Sequence, residues 1–116
     1  MITSVCARYE PIRYLAFGSI AVGYTGIGTA FEHPARLVRI TNSTNADLMF
    51  TYDTSEDQII VPAYTSYVDD ITANTYTTQH SGILAKPKGS RLYVKQIEVP
   101  TLKGVYVSVL YGSDYE

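Results

Sequence analysis

The chain has no tryptophan, a single cysteine and two histidines among 116 residues, and only 17% of its residues are charged. One cysteine excludes an intramolecular disulfide, which fits a protein made in a reducing cytosol. Cys6 itself reads as a small buried strand residue. With a formal net charge of -2 and its Lys and Arg scattered, the chain lacks the phosphate-neutralising stripe of a nucleic-acid binder. The first ten residues have neither the basic start nor the apolar stretch of a secretory signal. The uncharged run from Tyr14 to Phe31 is interrupted by Gly18, Gly23, Gly26 and Gly28, with Ser19, Thr25 and Thr29 between them. Those residues exclude a membrane helix.

What is present is strand-like: eleven tyrosines, with abundant Val, Ile and Thr. In the run 105–111, Val105, Val107, Val109 and Tyr111 point one way, and Tyr106, Ser108 and Leu110 the other. A period of two marks a strand with one dry face. Residues 91–99 alternate similarly, and the Pro-Thr-Leu-Lys-Gly link between the two runs predicts a closing hairpin. Residues 36–41 and 48–53, joined by the turn Asn42-Ser-Thr-Asn45, predict another hairpin. Shorter strands are expected at 58–61, 64–71 and 83–85, with a bend at 72–74. With no helical stretch to cover it, the sheet must be buried by other strands or by other chains. The expected fold is all-β: a single-domain β-sandwich, jelly-roll-like, of about eight strands. Residues 1–34 are glycine-rich and form either the first strands or an extended arm, while 35–116 form the sandwich body.

Candidate chemistry is sparse. His80 with Asp69 or Asp70 sketches a Ser–His–Asp site on paper, but no Gly-x-Ser-x-Gly elbow accompanies it. His33, directly before Pro34, reads as a polar loop residue. Cys6, His33 and His80 lack the close pairing of zinc ligands. Asp53, Glu56, Asp57, Asp69 and Asp70 carry no EF-hand spacing and read as solvated turn residues. The Gly23-Tyr-Thr-Gly26-Ile-Gly28 run reverses the glycine order of a dinucleotide fingerprint. Beside Lys88-Gly89-Ser90, Leu84 occupies the place of the glycine that a P-loop requires. Asn42-Ser-Thr44 is a formal glycosylation sequon that reads better as a turn. No catalytic residue, metal ligand or cofactor is expected, and the chain reads as no enzyme.

Association remains. Several strands alternate two partly apolar faces: Leu37 opposite Val38 and Ile40, Met49 opposite Phe50, Tyr93 opposite Leu92 and Val94, Tyr106 and Leu110 opposite Val107. Tyrosine-rich outer faces suit protein contacts. The interface candidates are Tyr14, Phe17, Tyr24, Phe31, Tyr67, Tyr93, Tyr106 and Leu110.

Five segments carry a resemblance: His33-Pro-Ala-Arg-Leu-Val-Arg-Ile-Thr-Asn42, Leu48-Met-Phe-Thr-Tyr52, Asp70-Ile-Thr-Ala-Asn74, Arg91-Leu-Tyr-Val-Lys-Gln96 and Gly104-Val-Tyr-Val-Ser-Val-Leu-Tyr-Gly112. On these segments the stretch from Pro34 to Gly112, roughly two-thirds of the chain, resembles small β-sandwich structural proteins of tailed-bacteriophage virions. The resemblance implies a virion protein made in the host cytoplasm without a signal peptide. It would be a capsid cement or decoration protein, or else a head–tail junction or tail ring protein. Its partners would be the major capsid protein, copies of itself in a homo-oligomer, or both, with no specific nucleic acid and no membrane. A carbohydrate- or receptor-binding sandwich is a further reading, kept open by the tyrosines and weakened by the missing tryptophan.

Overall fold

Val105, Val107 and Val109 are completely buried, as their alternation predicts, and they lie on the longest of the described strands, β9 (Gly104–Asp114). The structure, a computed structural model, describes residues 5–71 and 86–114. Within them β9 is preceded by β1 (Val5–Tyr9), β2 (Arg13–Ala16), β3 (Thr25–Gly26), β4 (Ala35–Asn42), β5 (Leu48–Thr51), β6 (Ile59–Val61), β7 (Thr65–Asp70) and β8 (Tyr93–Gln96). The expected strand at 83–85, the bend at 72–74 and His80 lie outside the described residues. No helix among those described is long and apolar enough to cross a membrane.

Two antiparallel sheets form. One runs β1-β9-β4-β7, with β2 also on β9; the other runs β3-β8-β5-β6. Counting β1 and β2 as two halves of one interrupted strand, first pairs with last: β1 and β2 with β9, β3 with β8, β4 with β7, β5 with β6. This nested antiparallel pairing is that of a jelly roll. The expected all-β sandwich is what the chain adopts.

The two predicted hairpins are corrected. Strand β4 pairs with β7 and β9, whereas β5 pairs with β6 and β8, so 36–41 and 48–53 lie in different sheets. Strands β8 and β9 are separated in the same way. Alternation tells which face of a strand is dry, not which strand lies beside it. Both connecting links cross between the sheets, and they bond to one another. Ser43 donates from its amide (3.0 Å) and hydroxyl (2.6 Å) to the Gly104 carbonyl, and Asn45 and Thr101 exchange two bonds of 2.8 and 3.0 Å.

The core fills the space between the sheets with Val38 and Ile40 of β4, Leu48 and Phe50 of β5, Val61, Val94 and the β9 valines. Within the glycine-rich stretch, residues 5–34 supply β1, β2 and β3, and they bury Ile20, Ile27 and Phe31. The loop bearing Ile27 and Phe31 is stitched to the segment before β8 by Ile27 N–H to Leu92 O (2.9 Å) and Phe31 N–H to Ser90 O (2.7 Å).

Asn42 closes the core at the end of β4. Its side-chain amide lies within 2.9, 3.0 and 3.2 Å of the Ala46, Val61 and Pro62 carbonyls. Its oxygen accepts from the Thr44 amide (3.0 Å) and hydroxyl (2.6 Å). Asn42 is buried, so the formal sequon offers no glycan acceptor in the folded chain. Removing the amide strands several buried polar groups. We predict that Asn42→Ala lowers stability by about 3 kcal/mol, seen as a fall in the urea midpoint at unchanged slope. An unchanged midpoint would mean that the network carries no net stability.

Candidate association surface

The outward side of the β9 sheet is built by the residues that alternate with its core valines. Cross-strand register sets them in rows. Tyr14, Tyr106, Thr41 and Ser66 form the first, and Ser108, Arg39 and Val68 the second. Tyr9, Leu110, Leu37 and Asp70 form the third; Ala7 faces Gly112 in the fourth. The face is wet, with Tyr9 68% and Val68 49% exposed. The sandwich's own core is complete on the other side, so this apolar area is not needed for folding the isolated chain.

The two ends of this face differ in height. At one end the Tyr14 and Tyr106 rings rest together, their centroids 4.8 Å apart and tilted by 43°. Gly104 makes room for Tyr14: a Cβ there would meet the Leu15 carbonyl at 2.4 Å and the Tyr14 ring at 2.7 Å. At the other end two small residues, Ala7 and Gly112, leave a depression of about 290 Å³. Arg36, Leu37, Asp70, Leu110 and Tyr111 complete its lining.

The sequence-derived interface residues are thus distributed unevenly. Tyr14, Tyr106 and Leu110 share this face. Phe17 is exposed in the 3-10 turn that follows β2. Tyr67 belongs to edge strand β7 and is paired with Ile40. Tyr93 lies on the other sheet, half-buried beside the Arg91 guanidinium. Tyr24 bonds through its hydroxyl to Asp57, with the Lys95 ammonium 4.8 Å from its ring. Burial, then the Asp57 carboxylate, pushes its phenol up to about 12. Phe31 is corrected: at 2% exposure it belongs to the core and offers no outer surface. Leu37 stands opposite Val38 and Ile40 by alternation, and register places it beside Leu110; Tyr9 and Val68 join the face through strand register, which no local sequence pattern displays.

A buried charge cluster holds the sheet edge beside this face. From the Tyr9–Leu110 pair to the Arg13–Val107 pair, the β1–β2 side carries one more residue than β9. This bulge lets Glu10 and Arg13, three positions apart, both turn inward. The Arg13 guanidinium bonds Glu10 Oε1 at 2.7 Å, and the Thr29 and Ala30 carbonyls at 2.8 and 3.0 Å. It also lies 5.2 Å from the centre of the Phe31 ring. Glu10 Oε2 accepts from the Glu32 amide at 3.0 Å and contacts His33 Nδ1 at 2.7 Å. The His33 ring stacks on Tyr111 of β9 with centroids 3.7 Å apart. Gly28, with φ of +60°, sits against the Arg13 stem, where a Cβ would approach Cγ to 2.8 Å.

The cluster is a structural tie. No hydroxyl or thiol bonds His33 among the described residues, and no three of their His, Cys, Asp and Glu side chains gather as a metal site. The acidic loop is engaged locally. Asp53 bonds the Ser55 amide and hydroxyl, which holds its carboxyl below the usual range. Asp57 is lowered by the Tyr24 hydroxyl and by Lys95, whose ammonium lies 2.9 Å away. Burial, followed by Asp69, pushes the Tyr52 phenol up, and its hydroxyl bonds Asp69 at 3.2 Å. The Lys88-Gly89-Ser90 segment is a turn in which the Ser90 amide bonds the Pro87 carbonyl. The chain matches no known family model, no curated protein and no solved structure.

For Glu10, burial alone would raise the carboxyl, but hydrogen bonds from Arg13, His33 and the Glu32 amide outweigh it. The folded carboxyl therefore titrates below its ordinary 4.5. The unfolded chain then binds more protons in that interval, so the stabilisation is complete above the unfolded value. It is lost as pH falls through the folded one. Glu10→Gln leaves Arg13 buried without its counter-charge. It should cost about 3 kcal/mol at neutral pH and flatten the loss of stability below pH 4.5, measured by urea unfolding against pH. Equal acid limbs in both proteins would show that another carboxyl governs acid unfolding.

Proposed function

We propose that this jelly roll is a structural subunit of a tailed-phage virion, of the cement type, that bridges major capsid subunits as a homo-oligomer. The observation that carries this reading is the wet, tyrosine-bearing face of a sheet whose inner side is already filled. Exposed apolar patches of this kind mark docking surfaces. Tyrosine supplies ring area for burial while its hydroxyl keeps the free subunit hydrated. The segments that resemble phage structural proteins include β4 and β9, the two central strands of that sheet.

The physical action is linkage. A protein that binds only the assembled shell stabilises it by mass action. Each contact contributes at about 25 cal/mol per Å² of apolar surface, repeated over the whole shell. Heads lacking this protein should release their DNA at a lower temperature than complete heads. Its copy number should match the shell's subunits rather than a single ring. Identical release curves would remove the cement role, and a ring-sized copy number would move the protein to the head–tail junction or tail.

A further inference from the structure

We infer that the outer face of the β9 sheet is a self-complementary interface. On it, a second copy docks face to face about a two-fold axis running across the strands. The inference rests on the reading of this face as an association surface, and it names the partner and the register. The face carries a raised end, Tyr14 with Tyr106, and a sunken end, Ala7 with Gly112, at opposite ends of the same strand pairs. A self-complementary patch needs a knob and a hole that a two-fold rotation exchanges.

An axis between the copies, perpendicular to β9 and passing between the Ser108 and Leu110 rows, makes that exchange. The first row of one copy then covers the fourth of the other, and the second covers the third. Tyr14 and Tyr106 enter the depression over Ala7 and Gly112 of the second copy. Ser108 meets Leu110. Arg39, which is exposed and makes no ion pair among the described residues, lies over Leu37 beside Asp70 of the second copy. The rotation generates this Arg–Asp juxtaposition twice, so charge complements charge as the rings fill the depression. A two-fold parallel to the strands does neither. It sets Tyr14 over Ser66, leaves the depression unfilled and brings Asp70 over Tyr9.

Size agrees. The thirteen positions of the four rows, each about 4.8 Å by about 6.8 Å, give a projected plane of roughly 420 Å² per copy. That is of the order of the ~800 Å² per partner found in stable interfaces, because side-chain relief adds to the plane. Aligned sheets packing at about −30° accommodate such a contact between two sandwiches.

The test uses the full chain. Light scattering across a dilution series should give the dimer mass, and Ala7→Trp, which fills the depression, should weaken dimerisation about tenfold or more. In a Cys6→Ser background, chains carrying Tyr14→Cys and chains carrying Ala7→Cys are mixed and oxidised. The mixed disulfide should form in large excess over either self-linked species. A wild-type chain that stays monomeric at its solubility limit would overturn the inference. So would a dimer in which the mixed species gains nothing over the self-linked ones. Heads stabilised by a monomeric chain would likewise overturn the dimer, and would leave the cement role standing without the homo-oligomer. A cross-linked dimer that ignores heads would support the interface and remove the function.

Discussion

Everything in this fold is referred to the register of β9. It is bonded along its length to β1, β2 and β4, and its alternation decides which side chains enter the core and which reach solvent. A slip of one residue would put Tyr106, Ser108 and Leu110 inside and the three valines outside. The cost would fall on both sides of the sheet at once, because the core would lose its fit and the outer rows their order. The register is held at both ends of the strand. At one end the crossing links close onto Gly104 through Ser43. At the other, Tyr111 carries the stacked ring of His33.

The buried Glu10–Arg13 pair belongs to the same constraint. A buried ion pair contributes little net stability against an apolar replacement, but breaking one partner is expensive. Its effect here is therefore selective. Only the bulged register turns both side chains inward, where Thr29, Ala30, Glu32 and His33 complete their bonds. Any other pairing of the β1–β2 segment would bury one charge alone or expose both. The loop from Gly28 to Pro34 is shaped around that pair, and in its course it delivers Phe31 to the core. Local charge pairing and core packing are thus two aspects of one arrangement.

These features differ in how far the sequence displays them. The dry face of each strand is written in period two, so Val38, Ile40, Leu48, Phe50, Val94 and the β9 valines are legible from the chain alone. Strand neighbours are not, because a link of a few polar residues serves equally to reverse within a sheet or to cross between sheets. The two crossing links here look like hairpin turns for that reason. Glu10 and Arg13 are invisible for another: at three-residue spacing, a regular strand would put them on opposite faces, and only the extra residue reconciles them. The outer face was legible in part. Tyr106 and Leu110 follow from alternation in β9 and Leu37 from alternation in β4, whereas Tyr9, Val68 and the Ala7–Gly112 depression are assembled by register across the sheet.

The division of aromatic residues follows from the same two-sided demand. Phe31 and Phe50 are buried, while Tyr9, Tyr14 and Tyr106 reach the outer face. A phenylalanine on that face would lower the solubility of a free subunit and add nothing to the core. A tyrosine keeps its hydroxyl in water and, in the proposed contact, would bury nearly the same ring area. The small residues at Ala7 and Gly112 are the counterpart. They cost the isolated sandwich no buried area, since the core lies on the other side of the sheet, but they shape the surface on which a ring can seat. The raised and the sunken end of the wet side add nothing to the sandwich's own core, and it is on them that the proposed contact with a second surface depends.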